Sequence, residues 1–150
     1  MSSASSQLLL SEGLIGAWTL VSVEARQDNG RDSVPFGVNP QGIIIFTPSG
    51  HFSLFQSRET LPKLAANDRA RATPEEAAAV VEGSIAYHGR YSVDDARRSI
   101  AVRLDGSTYA NLLGSAQERL VTSLTREELR FANPRTPSGA TLLTVWARAR

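Results

Sequence analysis

Residues 16–30 read GAWTLVSVEARQDNG, Gly16 to Gly30. The run from Ile15 to Arg26 has the composition of a β-strand. Asp28-Asn29-Gly30 closes it, because Asn and Gly tolerate positive φ in tight turns. The same punctuation recurs along the chain. GIIIFT (Gly42 to Thr47) is turned by Pro48-Ser49-Gly50 into HFSLFQS (His51 to Ser57), which predicts a hairpin. SIAYHGRYSV (Ser84 to Val93) ends at Asp94–Arg98, and SIAVRL (Ser99 to Leu104) leads to Asp105-Gly106-Ser107. Ser115 to Leu124, Glu128 to Asn133 and Thr141 to Ala149 complete the set, the last two separated by a proline-rich turn at 134–139. Short strands at this spacing predict an all-β domain of eight strands. Sequential strands with short links pair antiparallel with their neighbours. Eight of them close into an up-and-down β-barrel with room for one small ligand.

One helix interrupts the strands. Thr73 can cap it, Pro74 suits its first position, Glu76 completes a capping box and Gly83 ends it. The stretch before it, Arg58 to Ala72, reads as a long loop of the kind that often forms a lid.

The bulk numbers exclude several classes. A chain of 150 residues, 41% apolar, is one domain with one core. With 16 basic and 15 acidic residues the net charge is +1, which argues against a dedicated nucleic-acid surface. No segment approaches the ~18 apolar residues of a membrane span. The absence of cysteine excludes disulfides, thiolate catalysis and cysteine–metal sites. His51 and His88, the only histidines, leave little for zinc, so no metal and no cofactor are expected. Residues 1–14 lack the basic and apolar regions of a signal peptide and read as a flexible arm before a domain at 15–150. A cytoplasmic location is expected on that ground.

Gly16-x-Trp18 at the head of the first strand resembles the lipocalins. The ordered set GAWTLVSVEA, GIIIFTPSGHFS, TPEEAAA, YHGRYSV and ERLVTSLTREELRF resembles the bacterial and fungal lipocalin-like domains of about this length, from about Ile15 to Phe131. Phe46 stands where that family usually has Tyr, and SIAVRL lacks a His that its counterpart often carries. The resemblance implies that Trp18 plugs the closed end of the barrel against a late basic residue, while Gly16 lets the chain cross the floor. It also implies a ligand cavity. Some related barrels are cofactor-free isomerases or cyclases of secondary metabolism, so either binding or such catalysis is implied.

Alternation of side chains across a strand assigns candidates to the cavity. With Trp18 inward, Leu20, Ser22 and Glu24 follow, and Val21 and Val23 face out or pack under the helix. Glu24 is then a carboxylate at the mouth, either a general base or a rim residue paired with an arginine. Tyr87, Gly89 and Tyr91 share one face, which suits a cavity wall or a packed aromatic core. His51 begins a strand just after a tight turn, where it is either exposed or, if that end is the open one, at the mouth, and Phe55 is taken as a ligand-binding candidate. Tyr109 sits in a loop that can border the mouth. Gln117 and Arg119 share a face opposite Glu118 and Leu120, and the pattern leaves open which face is inward. A buried Arg119 would hold a ligand carboxylate or oxyanion, or Trp18. Arg148, on the same face as Trp146, is its rival for Trp18. The catalytic candidates are therefore Glu24, Tyr87, Tyr91 and Arg119. The binding candidates are Trp18, Ser22, His51, Phe55, Tyr109, Gln117 and Trp146. The expected partner is a small hydrophobic or amphipathic molecule. A homodimer, or an interaction surface made by the helix and the LPKLAAND loop, stays open.

Overall fold

The computed structural model describes residues 6–133 and 139–150. Elements follow in the order α1 (Leu10–Gly13), β1 (Gly16–Gln27), β2 (Asp32–Ser33), β3 (Gln41–Phe46), β4 (His51–Ser57), α2 (Pro74–Gly83), β5 (Ser84–Asp94), β6 (Ser99–Ser107), β7 (Ala116–Leu124), β8 (Glu128–Ala132) and β9 (Ala140–Arg148). The eight expected strands form, and β2 is an unforeseen two-residue addition to the far end of β1. Of the turn expected at 134–139, only Gly139 lies within the described residues.

From β3 to β9 each strand pairs antiparallel with the next. β1 pairs with β3 through Gly16–Phe46 to Thr19–Ile43, and with β9 from Trp18–Arg148 to Gln27–Ala140. This double pairing closes an eight-stranded antiparallel barrel and leaves none of its eight main strands as a free edge.

The two ends of the barrel differ. Tight connections at 47–50, 95–98 and 125–127 gather at one end, with the start of β1 and the end of β9. The long connections, including 58–73 with α2 and 108–115, gather at the other. The first end is the floor and the second the mouth. α2 forms as its capping residues dictate: Thr73 Oγ1 accepts from Glu76 N, and the Glu76 carboxylate accepts from Thr73 N.

Bulges set which side chains point inward. Leu20 lies opposite Trp146 and Ser22 opposite Val145, so Val21 is an extra residue in β1. The insertion reverses the alternation beyond it. Val23 and Ala25 are buried, whereas Ser22 shares its face with Val145 and Glu24 is exposed. The inward placement expected for Ser22 and Glu24, and the outward one for Val23, are thereby overturned. A second bulge pairs His88 with Gly106 and Gly89 with Leu104, leaving Asp105 as the extra residue of β6. Asp105-Gly106-Ser107 therefore belongs to the strand, and the turn comes later, at 108–115.

Of the loose arm that the composition of residues 1–14 suggests, the described residues 8–14 are docked. Leu10 and Leu14 are buried in the core, and Leu8 N donates to Leu124 O at 2.7 Å. Asp95 pins this segment. Its carboxylate accepts from Leu10 N at 2.5 Å and from Ser11 Oγ at 2.6 Å. The Ser11 hydroxyl, helped by the Leu10 and Ser11 amides and by the charge of Arg98, holds the Asp95 carboxyl below the usual carboxylate range. A carboxyl depressed in the folded state contributes stability above its unfolded pKa of about 4, and that contribution is lost as pH falls through the folded value. Acidification below about pH 4 should thus release α1 first, seen as faster amide exchange at Leu10 and Ser11. Asp95→Asn should speed the same amides at neutral pH. Unchanged exchange in both cases would show that the apolar contacts alone hold the segment.

Candidate functional site

The floor accounts for the first motif of the sequence. Trp18 is fully buried, and its indole Nε1 donates to Leu14 O at 3.0 Å. The Arg148 guanidinium lies 3.9 Å from the centroid of the Trp18 ring, a cation–π contact. That guanidinium also donates to the carbonyls of Arg126, Ile15 and Gly13 at 2.9–3.1 Å. Gly16 has φ +128°, and a Cβ there would stand 3.3 Å from Arg148 Nη1. Glycine, tryptophan and Arg148 together form a plug, so Arg148 rather than Arg119 closes the floor.

Several expected site residues belong to this plug, to the packed core or to the outer wall. His51 sits beside the floor turn, exposed, with Nδ1 3.0 Å from Ser49 Oγ. Of its two readings the exposed turn residue holds, and the mouth position fails because the 47–50 turn lies at the closed end. Phe55 faces outward, 43% exposed. Phe52, Leu54 and Gln56 alternate inward on β4, so Gln56 and not Phe55 holds the inward position. Tyr91 packs edge-on against Phe46, and its hydroxyl donates to Thr47 O at 2.6 Å. Burial pushes the Tyr91 phenol up. Trp146 is fully buried, stacked on Phe131, with Nε1 donating to Thr144 Oγ1 at 3.0 Å. Glu24 lies outside the barrel, 3.9 Å from Arg26, as a residue paired with an arginine.

Tyr87, Gln117 and Arg119 come together inside. β7 turns Gln117, Arg119 and Val121 inward and leaves Leu120 half exposed, which resolves the face the pattern left open. Arg119 is 5% exposed and Tyr87 is 8% exposed. Arg119 Nη1 donates to Gln117 Oε1 at 2.7 Å, and Nη2 reaches Tyr87 Oη at 3.4 Å. Gln117 Nε2 in turn donates to Ser115 Oγ, which donates to Leu112 O. A polar chain thus runs from the 108–115 loop at the mouth to a buried cation. Among the described residues no carboxylate lies within ion-pair distance of Arg119. The side-chain oxygens of Gln56 and Asn133 are also buried without a hydrogen-bond partner. Gln56 lies one step toward the mouth from the Leu54–Tyr87 pair. Asn133 follows Ala132 in β8, whose partner is Leu120, so its register position faces Arg119.

At the mouth, Val80 and Val81 of α2 face Ser84, Ile85, Thr108 and Tyr109 across a cleft of about 360 Å³. Thr108 is held by its backbone N–H to Ala86 O and by its hydroxyl, which accepts from Ala86 N. Ile85, which lines the cleft, is two residues from Tyr87 on β5 and shares its inward face. Tyr109 occupies the bordering position expected of it. Gln56, Asn133, Ile85 and Val80 were not foreseen. For Gln56 a signal existed, since the alternation of Phe52 and Leu54 carries on to it.

The profile of the lipocalin-like domain matches residues 15–149. The chain belongs to the lipocalin-like domain family. Among solved structures this lipocalin-like domain is similar to a redesigned β-barrel, b11L5F_LGL, at 17% identity and TM-score 0.49, over 97% of this chain and 100% of that one. It is similar to a second redesigned barrel, mFAP1, bound to DFHBI, at 14% identity and TM-score 0.46, over 94% and 100%. It is also similar to bovine odorant-binding protein in complex with a selenium-containing odorant, at 15% identity and TM-score 0.45, over 100% and 78%. No curated protein matches the chain. No helix among the described residues is long and apolar enough to cross a membrane.

Proposed function

We propose that this lipocalin-like domain binds a small, largely apolar molecule through its mouth. The observation that carries the reading is the cleft of about 360 Å³ between α2 and the β5–β6 wall. Its size falls in the range of small-molecule sites, and Ser84 and Thr108 give its mostly apolar lining two hydroxyl groups. Val81 and Tyr109 are 78% and 52% exposed at its rim, apolar surface that a guest would cover.

A cofactor-independent isomerase or cyclase is the finer alternative. The Tyr87 hydroxyl beside Arg119 supports it, since that phenol can serve as a proton donor in an enclosed site. Against it, Glu24 points away from the interior, and no described carboxylate or histidine replaces it as a base. Binding therefore has the stronger support.

The test uses N-phenyl-1-naphthylamine, a neutral apolar fluorophore. Wild type should show saturable 1:1 enhancement with a micromolar-range Kd, on the order of 1–10 μM. Ser84→Trp and Ile85→Trp, which fill the cleft, should weaken it at least about tenfold. Linear, unsaturable enhancement, or indifference to both cleft variants, would refute the proposal. Glu24→Gln should leave affinity within a factor of about two, the ordinary outcome for an exposed charge away from the site. A tenfold loss there would return Glu24 to the site.

A further inference from the structure

The interior holds a charge that the fold itself leaves unbalanced. An arginine keeps its proton wherever it sits. Burying a charge is costly unless it is paired. Arg119 is 95% buried by its 5% exposure, and its hydrogen bonds go to two neutral groups, the Gln117 amide and the Tyr87 phenol. Arg148, at the floor, is used differently, with three backbone carbonyls and an indole face taking its guanidinium. Arg119 has no comparable structural duty. The buried, unpartnered amide oxygens of Gln56 and Asn133 form a second observation of the same kind. Asn133 holds the register position opposite Arg119, and Gln56 pairs with Ile85, two residues from Tyr87 on the same face of β5. Turned over, the Asn133 amide presents an NH₂ group in place of its unpartnered oxygen.

We propose that Arg119 anchors the carboxylate of an apolar carboxylic acid, with Tyr87 as a second donor and the acid's hydrocarbon body directed toward the Val80–Ile85–Tyr109 cleft. This rests on the binding reading above and gives it a ligand class. A guanidinium and a carboxylate match in charge and in fork geometry. The surroundings decide the rest of the ligand: Leu54 and Phe52 on β4 and Val102 and Leu104 on β6 are buried and apolar, so the body of the guest is hydrocarbon. The chain of hydrogen bonds from Leu112 through Ser115 and Gln117 fixes the guanidinium before the ligand arrives. Arg119 is then preorganised, and the fold tolerates its cost because the site is used.

Displacement of N-phenyl-1-naphthylamine by matched pairs tests this: octanoate with 1-octanol, decanoate with 1-decanol, and 4-phenylbutyrate with 4-phenyl-1-butanol, at pH 7.5. For at least one pair, wild type should prefer the acid about ten- to a hundredfold, the worth of a charge-assisted hydrogen bond. Arg119→Met should abolish the preference while keeping the affinity for the alcohol. It should also melt no lower than wild type, because an apolar side chain of similar length replaces an unpaired buried charge. Arg119→Lys keeps the charge without the fork and should retain part of the preference. This covers the case in which Arg119→Met does not fold. Equal displacement by acid and alcohol in wild type would overturn the carboxylate assignment alone, with apolar binding intact. A preference that survives Arg119→Met would overturn it too. If wild type binds neither the fluorophore nor any member of the pairs, the binding reading falls and takes this inference with it.

Discussion

Gly89→Ala should lose about 3 kcal/mol or more of folding free energy, among the largest effects of any single methyl group in this barrel. A Cβ at position 89 would stand 1.9 Å from Arg103 O, 2.9 Å from Arg103 C and 3.0 Å from Leu104 Cα. All three atoms are backbone, so no side chain can swing aside. The crowding comes from the bulge at Asp105, which carries β6 tightly across the inward face of β5. Gly89 has no left-handed φ, so its requirement is for space and not for conformation. Gly114 is the matching control: its φ is +75° and nothing lies within 4 Å of an added Cβ. Gly114→Ala should cost only the conformational term, on the order of 1 kcal/mol. Urea midpoints for the two variants separate the causes. Similar small losses at both positions would mean that β5 and β6 can part at the bulge without penalty.

Trp18→Ala should lose about 3–5 kcal/mol, the usual range for removing a fully buried aromatic side chain. The indole fills the centre of the floor, binds the Leu14 carbonyl and carries the Arg148 guanidinium on its face. Its removal leaves a void and strips Arg148 of one partner, while Leu10 and Leu14 lose the surface they pack on. Trp18→Phe should cost less, since it keeps a ring and gives up the N–H donor. Because the floor and the mouth are opposite ends, Trp18→Phe should keep its affinity for the naphthylamine probe. Urea unfolding reads the first effect and probe titration the second. If Trp18→Ala loses under about 1 kcal/mol, the plug is not what holds the closed end.

The legible parts of this fold were those written in local chemistry. Thr73-Pro74 and Glu76 mark the start of α2 because the cap needs those atoms at those positions. Pro48-Ser49-Gly50 marks a hairpin because Gly50 takes φ +85°. The link between Gly16, Trp18 and Arg148 came from the resemblance to the lipocalins, and the geometry supplies its reason. What failed was alternation carried past a bulge. One inserted residue, Val21, sends Glu24 outward and Val23 inward, and nothing in VSVEA announces it. For His51 the exposed turn position holds and the mouth alternative fails, since an isolated strand does not say which of its ends is the floor. The inward face of Arg119 was settled only by its neighbours, since a charge on a strand reads as solvent-facing until the partners across the barrel are known. Phe55 was a plain miss, because Phe52 and Leu54 already placed it on the other side.

Where the chain emerges has a practical side. Leu8 is tied to Leu124, and Arg150 reaches Glu127 at 3.5 Å, so residues 8 and 150 both lie at the floor, opposite the mouth. A fluorescent fusion or a surface linker joined at residue 150 would leave the entrance unobstructed. Captured on a sensor chip in that orientation, every copy would offer the same unblocked opening to whatever flows past.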